Sequence, residues 1–564
     1  MQYSCRTIPA VKQTLRLYVV LLATISSFAG HLTAQSRDRR ATESAKILDY
    51  IDKGWDTLSR SMTDCSSLLD AKVTTAPVLY LPSEMAMPPA IKSMQRHCNV
   101  EVRHLPRKII HLGDVRVSEI PVEGLLYLPN RYVVPGGRFN EMYGWDSYFI
   151  VLGLIQDKRT ALARGMVENF FFEIENYGAV LNANRTYFFT RSQPPLLTSM
   201  VREVYEHPDD TQPSKVWLAK AYRYAQRDYE LWTSPDHRAG DTGLARYHDI
   251  GDGPVPEMAD DSGYYSDVIR WLLAHPDVST NYLIDAPDDP TPTQALALAK
   301  SSCDITESKV CAHAHVEGHR LSAAFYRGDR AMRESGFDTS FRFGPFSGST
   351  GDYAPVCLNS LLYKYERDMA HFATLLGRPA EAAEWRDRAA ARQEAINKYL
   401  WNGARGMFYD YNFATRQQST YDYLTTFYPL WAGLANSAQA KALQHHLPLF
   451  EHDGGLAMSD ENSGTQWDLP FGWAPTNWLA IKGLAQYGFT EDASRIAQKF
   501  SQTVLQNFQN DATIREKYNV VSGSANVAVA TGYKSNVVGF GWTNGVYLQM
   551  RAFTRLKSAS KPGH

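Results

Sequence analysis

Cysteine is scarce here, with six residues in a chain of 564, and no cysteine or histidine spacing resembles a zinc site. Neither sign of charge dominates: 58 Lys and Arg face 60 Asp and Glu, for a net charge of −2. No basic stripe, arginine-rich arm or nucleic-acid motif is present, which excludes a nucleic-acid partner. Beyond the N-terminus no segment is apolar enough to span a bilayer. Strand-like alternation of apolar and polar residues is also rare. What remains is a chain of ordinary apolar content with many aromatic rings, 12% of all residues. That share suits sugar binding, and a large core accounts for it equally well.

The N-terminus has the pattern of an export signal. Arg6, Lys12 and Arg16 precede the apolar stretch Leu17 to Gly30, and Leu32-Thr33-Ala34 offers a small-residue cleavage site. The expectation is a signal over 1–34 and a periplasmic or secreted protein with no membrane association after its removal. In that setting Cys65–Cys98 and Cys303–Cys311 are the plausible bridges. Cys357 lies in an apolar helical pattern and reads as a buried free thiol.

Downstream the periodicity is helical. Leu361, Tyr365, Met369, Phe372 and Leu376 recur at three- and four-residue spacing, and Gly377-Arg378-Pro379 ends the run. Ile496, Phe500, Val504 and Phe508 follow the start signal Thr490-Glu491-Asp492. Glu381 to Leu400 is alanine- and charge-rich, and a further helix runs from Pro475 towards Gly488. Many helices joined by polar, glycine-rich loops predict a mainly α architecture.

The densest chemistry lies in Pro135-Gly136-Gly137-Arg138-Phe139-Asn140-Glu141-Met142-Tyr143-Gly144-Trp145-Asp146-Ser147-Tyr148. A core strand does not carry Arg138, Glu141 and Asp146, and a solvated face does not carry Phe139, Tyr143, Trp145 and Tyr148. Flat aromatic faces beside charged hydrogen-bonding groups suit a sugar, with its C–H faces and hydroxyl edges. A second run of this character is Gln466-Trp467-Asp468-Leu469-Pro470-Phe471-Gly472-Trp473-Ala474-Pro475. An aromatic-rich core with buried ion pairs would account for either run alone, but not for both.

These runs resemble the two signature motifs of the trehalases, glycoside hydrolase family 37, and meet every fixed position of each. The resemblance covers about Tyr127 to Phe553, and Tyr50 to Ser61 also looks like a trehalase helix. It implies an (α/α)6 barrel, six inner helices wrapped by six outer ones, with the active site at one mouth. The implied organisation is a signal at 1–34, an N-terminal extension at 35–126 holding an unmatched insert at 62–124, a catalytic domain at 127–556 and a tail at 557–564. A monomer is expected, acting on a small-molecule sugar without a metal or organic cofactor.

Cleaving a glycosidic bond takes one protonated and one ionised carboxyl group on opposite sides of the anomeric carbon. Glu334-Ser335-Gly336-Phe337-Asp338 resembles the family segment that ends in the general acid, which implies Asp338, with Phe337 in place of the usual tryptophan. Glu516-Lys517-Tyr518-Asn519 resembles the segment that begins with the general base, which implies Glu516. Gly539 to Val546 match the family closely and fix this register. Ala183-Asn184-Arg185 and Arg191-Ser192-Gln193-Pro194-Pro195 resemble sugar-holding runs. The implied substrate contacts are Arg138, Phe139, Tyr143, Trp145, Asp146, Asn184, Arg191, Gln193, Glu257, Gly336 and Trp467.

Two stretches depart from the family. Pro254-Val255-Pro256-Glu257 keeps the expected glutamate, but Val255 stands where an arginine is expected, so one hydroxyl clamp must come from elsewhere, for example Arg320 or Arg333. The glycine-rich loop that carries an acidic residue in the family reads Ser522 to Lys534 here and contains none. The implied reaction is inverting hydrolysis of α,α-trehalose to two glucose molecules, by an exported enzyme. Hydrolysis of another α-glucoside, or sugar binding without efficient turnover, stays open as an alternative.

Overall fold

A helix that is apolar on every side has to be buried on every side. Asp146–Gln156 carries Tyr148, Phe149, Ile150, Val151, Leu152 and Leu154 almost without interruption, and all are buried. The computed structural model, which describes residues 43–69, 76–208, 213–261, 263–278, 281–287, 289–300, 314–530 and 535–560, places five more helices beside it in sequence order. These are Leu197–Glu206, Val356–Leu375, Tyr428–Trp431, Ala474–Gln486 and Gly541–Ser560. Each contacts the next, and the last packs back on the first, so six inner helices close a ring.

The outer layer is amphipathic. Lys215–Trp232 buries Trp217, Leu218, Ala221, Tyr222, Ala225 and Tyr229 at helical spacing and turns its charged residues outward except Asp228, which is buried and accepts from Tyr365. Thr160–Asn176, Pro379–Tyr399, Ser437–His446 and Thr490–Asp511 complete this layer together with the helix at 43–57. That first helix is tied down by Trp55 Nε1, which donates to Asp157 (2.7 Å), and by Tyr50, whose ring lies 5.3 Å from that of Phe508. The architecture is the expected (α/α)6 barrel. It draws its sixth outer helix from the segment set apart as an extension.

Ring closure depends on two glycines. The helices Asp146–Gln156 and Gly541–Ser560 meet at Gly153 and Gly545. A Cβ on Gly545 would sit 2.1 Å from the Phe149 carbonyl oxygen, and one on Gly153 would sit 2.5 Å from the Gly545 Cα. Only bare backbone allows this approach.

Two additions pack beside the ring. The insert forms a parallel sheet in which Val78–Leu81 lies between Glu101–His104 and Leu125–Leu126, with the helix Pro89–His97 as crossover. The disulfide Cys65–Cys98 forms as expected and Cys357 is a buried free thiol; Cys303, Cys311 and the segment 1–34 lie outside the described residues. Val78, Tyr80, Ile109 and Val115 of the insert, with Leu126 just after it, pack on Tyr177, Leu181 and Phe189. The second addition has its own small core, built from Val255, Tyr264, Tyr265, Ile269, Leu321, Phe325 and Phe346.

Gly545→Ala should lower the midpoint of thermal unfolding, because overpacking a filled contact costs about 1–3 kcal/mol. A midpoint within a degree of wild type would show that the inner ring closes by another contact.

Candidate active site

The first signature run leads from the strand Tyr132–Val133 into the N-terminus of an inner helix. Phe139 N–H donates to the Gly136 carbonyl (3.0 Å), closing the Gly-Gly turn, and leaves Arg138 exposed with its guanidinium 4.9 Å from the Phe139 ring centroid. Phe139, Tyr143 and Phe188 continue as a row of edge-to-face rings (5.4 and 6.2 Å), and the Arg191 guanidinium lies 4.8 Å from Phe188. The row therefore runs from one predicted arginine to the other.

The segment 177–193 is riveted to this run. Asn184 Oδ1 accepts from Met142 N–H (2.7 Å) and its amide donates to the Leu126 carbonyl (2.8 Å). Gln193 Oε1 accepts from Trp145 N–H (3.0 Å). Both amides, expected to hold sugar hydroxyls, thus have backbone partners that fix one strip of the site against the other. Arg185 donates through Nε to the buried Glu141 (2.5 Å). The insert braces the same segment from behind: Gly113 N–H donates to the Phe189 carbonyl (3.0 Å), and Thr186 N–H to that of Gly124 (3.0 Å).

Asp338 is delivered by the end of a helix. Ala323–Ser335 stops at Gly336, whose φ of 76° is left-handed and whose missing Cβ would lie 3.0 Å from the Trp145 ring. Phe337 then enters an aromatic cluster. Its ring is 5.6 Å from Trp145 and 5.1 Å from Trp467, while Trp467 stacks on Trp473 at 3.8 Å and Trp145 meets Trp542 at 5.6 Å. Trp145 and Trp467 are buried in this cluster, and Trp473 covers one face of Trp467. Past Asp338, Arg342 forms a two-pronged pair with Asp410 (2.8 and 2.6 Å). Asp468 of the second signature accepts from Phe341 N–H (2.8 Å) and from the hydroxyls of Ser459, Ser463 and Thr465. The Gln466 side chain donates to the Asp338 carbonyl. The second signature is thus the bed on which Asp338 rests.

Charge around Asp338 is unevenly compensated. Arg333 Nη1 lies 3.7 Å from Asp338 Oδ2 and is held there by Asp329, which also accepts from the hydroxyls of Tyr264 (3.2 Å) and Tyr265 (2.8 Å). Arg191 is ion-paired with Glu257 and lies 3.6 Å from Asp249. Val255 is fully buried in the small core and brings no charge; Arg333 adjoins Asp338, whereas the charge of Arg320 bears on Tyr326. Burial pushes the Asp338 carboxyl up to about 7, against the pull of Arg333 and Arg191.

Glu516 is held by the second signature and the last inner helix. It immediately precedes the strand Lys517–Asn519, which pairs antiparallel with Phe471–Trp473 of the second signature. Trp542 Nε1 donates to the Glu516 carbonyl (3.1 Å), and the buried Lys517 ammonium donates to Glu516 Oε2 (3.0 Å) while lying 5.2 Å from the Trp473 ring. Asp146 is buried at the start of the first inner helix. Its carboxyl is pushed well above the ordinary range by burial first, then by the charges of Glu516 and of Asp338. Asp146, remote in sequence from both, therefore feels the charges of Glu516 and Asp338 together. Buried polar atoms without a hydrogen-bond partner among the described residues include Arg191 Nε, Glu257 Oε2, Thr339 Oγ1 and Gln466 Oε1, all around Asp338. Leaving such a group unpaired costs about 1–3 kcal/mol, and others lie elsewhere in the molecule, at Asp228, Glu366 and Asn544 among them.

Sequence reasoning did not single out Gln466, Lys517 or Asp249 for the site. The first two stand inside or beside quoted motifs. Asp249 sits in a loop with no signal of its own and is recognised only by its arginines.

A family model described as Trehalase matches residues 35–554. A probable trehalase of Eremothecium gossypii is 35% identical over 88% of this chain and 70% of its own length. The cytosolic neutral trehalase of Saccharomyces cerevisiae is 35% identical over 81% of this chain and 63% of its own length. The chain thus spans roughly two thirds of the length of these curated relatives. Among solved structures, the neutral trehalase Nth1 from Saccharomyces cerevisiae superposes with a TM-score of 0.73 at 32% identity, covering 92% of this chain and 96% of that one. Other relatives of similar identity also carry the name cytosolic neutral trehalase. These comparisons overturn the expectation of an exported protein with a signal at 1–34 and a periplasmic or secreted location. The physical reason is that basic residues before an apolar stretch record side-chain polarity alone, which export machinery is not the only thing to use.

A carboxyl whose folded pKa stands above its unfolded value stabilises the fold below the unfolded value and loses that contribution as pH rises through the folded one. For Asp338 this window runs from the unfolded value, about 4, up to about 7. Asp338→Asn should therefore unfold at a higher temperature than wild type at pH 8, and the difference should shrink towards zero at pH 4. An equal difference at both pH values would mean that Asp338 is not held protonated by burial.

Proposed function

The chain belongs to the trehalase family, and we propose that it hydrolyses α,α-trehalose to two glucose molecules in a single inverting displacement, with Asp338 as general acid and Glu516 as general base. The observation that carries this reading is the pairing of environments: Asp338 is raised to about 7 by burial, Glu516 has a lysine ammonium on one of its oxygens, and both charges bear on Asp146. Asp338 gives its proton to the bridging oxygen as the C–O bond breaks. Glu516 removes a proton from the water that attacks the anomeric carbon from the opposite face, and one glucose leaves with inverted configuration. This requires roughly 6.5–9.5 Å between the carboxyls to admit the water.

The remaining residues hold the sugar. Arg191 and Glu257, ion-paired with each other, serve the acid side, where both charges bear on Asp338. Arg333 supplies the cation that Val255 does not. Asp146 binds hydroxyls between the two catalytic groups, and Arg138, Phe139 and Tyr143 line the mouth. Asn184, Gln193 and Gly336 set the positions of these contacts. Trp145 and Trp467 back them with aromatic edges.

A different α-glucoside is favoured as a second reading by two specific features, Val255 and the acid-free stretch 522–534. A disaccharide panel separates the two: kcat/KM highest for trehalose supports the first, and higher values for another α-glucoside support the second.

The purified chain should release glucose from trehalose, with the β-anomer formed first from the attacked ring by NMR. Asp338→Asn and Glu516→Gln should each lose about 10²–10⁴-fold in kcat. Log kcat/KM should fall as pH rises through about 7, as Asp338 loses its proton. First-formed α-glucose, or an Asp338→Asn enzyme with near wild-type kcat, would remove this mechanism.

A further inference from the structure

One buried carboxylate ties the acid and the sugar clamp to the same anchor. Glu334 is fully buried on the helix Ala323–Ser335, one turn before Asp338. Its Oε1 accepts from Ser192 N–H (3.2 Å) and its Oε2 from His248 N–H (2.7 Å). Ser192 follows Arg191. His248 precedes Asp249, the counter-ion that lies 3.6 Å from Arg191 Nη1 and 3.1 Å from Arg330 Nη1. Behind the carboxylate stands His237, also buried, with Nε2 at 3.2 and 3.4 Å from the two oxygens and Nδ1 at 3.2 Å from Ser234 Oγ.

We propose that Glu334, oriented by His237, is a positioning residue that sets Arg191 and its partner Asp249 relative to Asp338. The proposal rests on the reading above that Arg191 holds the sugar. Two backbone N–H groups from different loops converge on opposite oxygens of one side chain. A carboxylate accepts from both; an amide would turn an NH2 group towards one of them and repel that loop. A buried anion needs further donors, and the imidazole supplies one in an orientation fixed by Ser234. Moving either loop by an ångström shifts the guanidinium or its counter-ion, while Asp338 stays where the end of its own helix delivers it.

A mere fold staple would change stability and leave the kinetics of the folded enzyme alone. The distinguishing measurement is a double-mutant cycle in trehalose hydrolysis. Glu334→Gln should lower kcat/KM about 10- to 100-fold, the scale of an ångström misplacement, with the larger part in KM. Combined with Arg191→Lys, it should add less than about threefold to the loss from Arg191→Lys alone, because both act through one group. Should Glu334→Gln not fold, His237→Phe enters the same cycle, with a smaller loss in His237→Gln, which keeps an amide donor. Glu334→Gln within twofold of wild type, or losses that multiply in the double variant, would overturn the proposal. Absence of glucose release from the wild-type chain would instead sink the reading it rests on.

Discussion

Taking a charge out of water costs several kcal/mol, and the mouth of this helical ring takes out many at once. The structure is tolerable because almost every buried guanidinium there faces an acid: Arg185 and Glu141, Arg191 and Glu257, Arg330 and Asp249, Arg333 and Asp329, Arg342 and Asp410. Removing one partner of such a pair leaves an uncompensated buried charge, at a cost of about 3–5 kcal/mol. The pairs therefore constrain the loops that carry them to one arrangement. At Asp338 burial outweighs the pull of Arg333 and Arg191, and at Asp146 the charges of Glu516 and Asp338 add to burial, so both carboxyls are pushed upward.

The ion pairs also divide the labour within the site. Asp410 holds the chain after Asp338 through Arg342, and Asp329 holds the arginine beside Asp338. Asp468 fixes Phe341 and the serine-rich loop below it. None of these three needs to meet a sugar. Their effect is that the side chains proposed to do so keep little rotamer freedom, so hydroxyl contacts cost less ordering when they form. The aromatic cluster of Trp145, Phe337, Trp467, Trp473 and Trp542 acts in the same sense. It locks the two signature runs and Gly541–Ser560 together beneath the cleft.

The insert between the first outer helix and the barrel has a structural reading on the same terms. Its parallel sheet backs the segment 177–193 through Tyr177, Leu181 and Phe189. That segment carries Asn184, Arg185, Arg191 and Gln193. A loop so rich in buried polar groups needs backbone partners on both sides; the first signature supplies one side and the insert the other.

Much of this was legible before any coordinates. Apolar spacing placed the helices Val356–Leu375, Pro379–Tyr399, Ala474–Gln486 and Thr490–Asp511 within a few residues, because a helix facing a core repeats its apolar residues with the helical period. The two signature runs marked the cleft, because dense mixing of rings and charges has few structural uses. Resemblance, not periodicity, gave the count of helices. The sequence could not reveal that Asn184 and Gln193 spend their oxygens on backbone N–H groups, or that Phe337 and Trp467 lie within a buried cluster. It also could not reveal that Glu334 joins Ser192 to His248. Residue types and local spacing determine which segments become helices and which carry chemistry, since those depend on neighbours along the chain. Which carboxyl meets which arginine, and which of them is left to hold a proton, depends on burial and on contacts between segments hundreds of residues apart, and only the closed ring decides that.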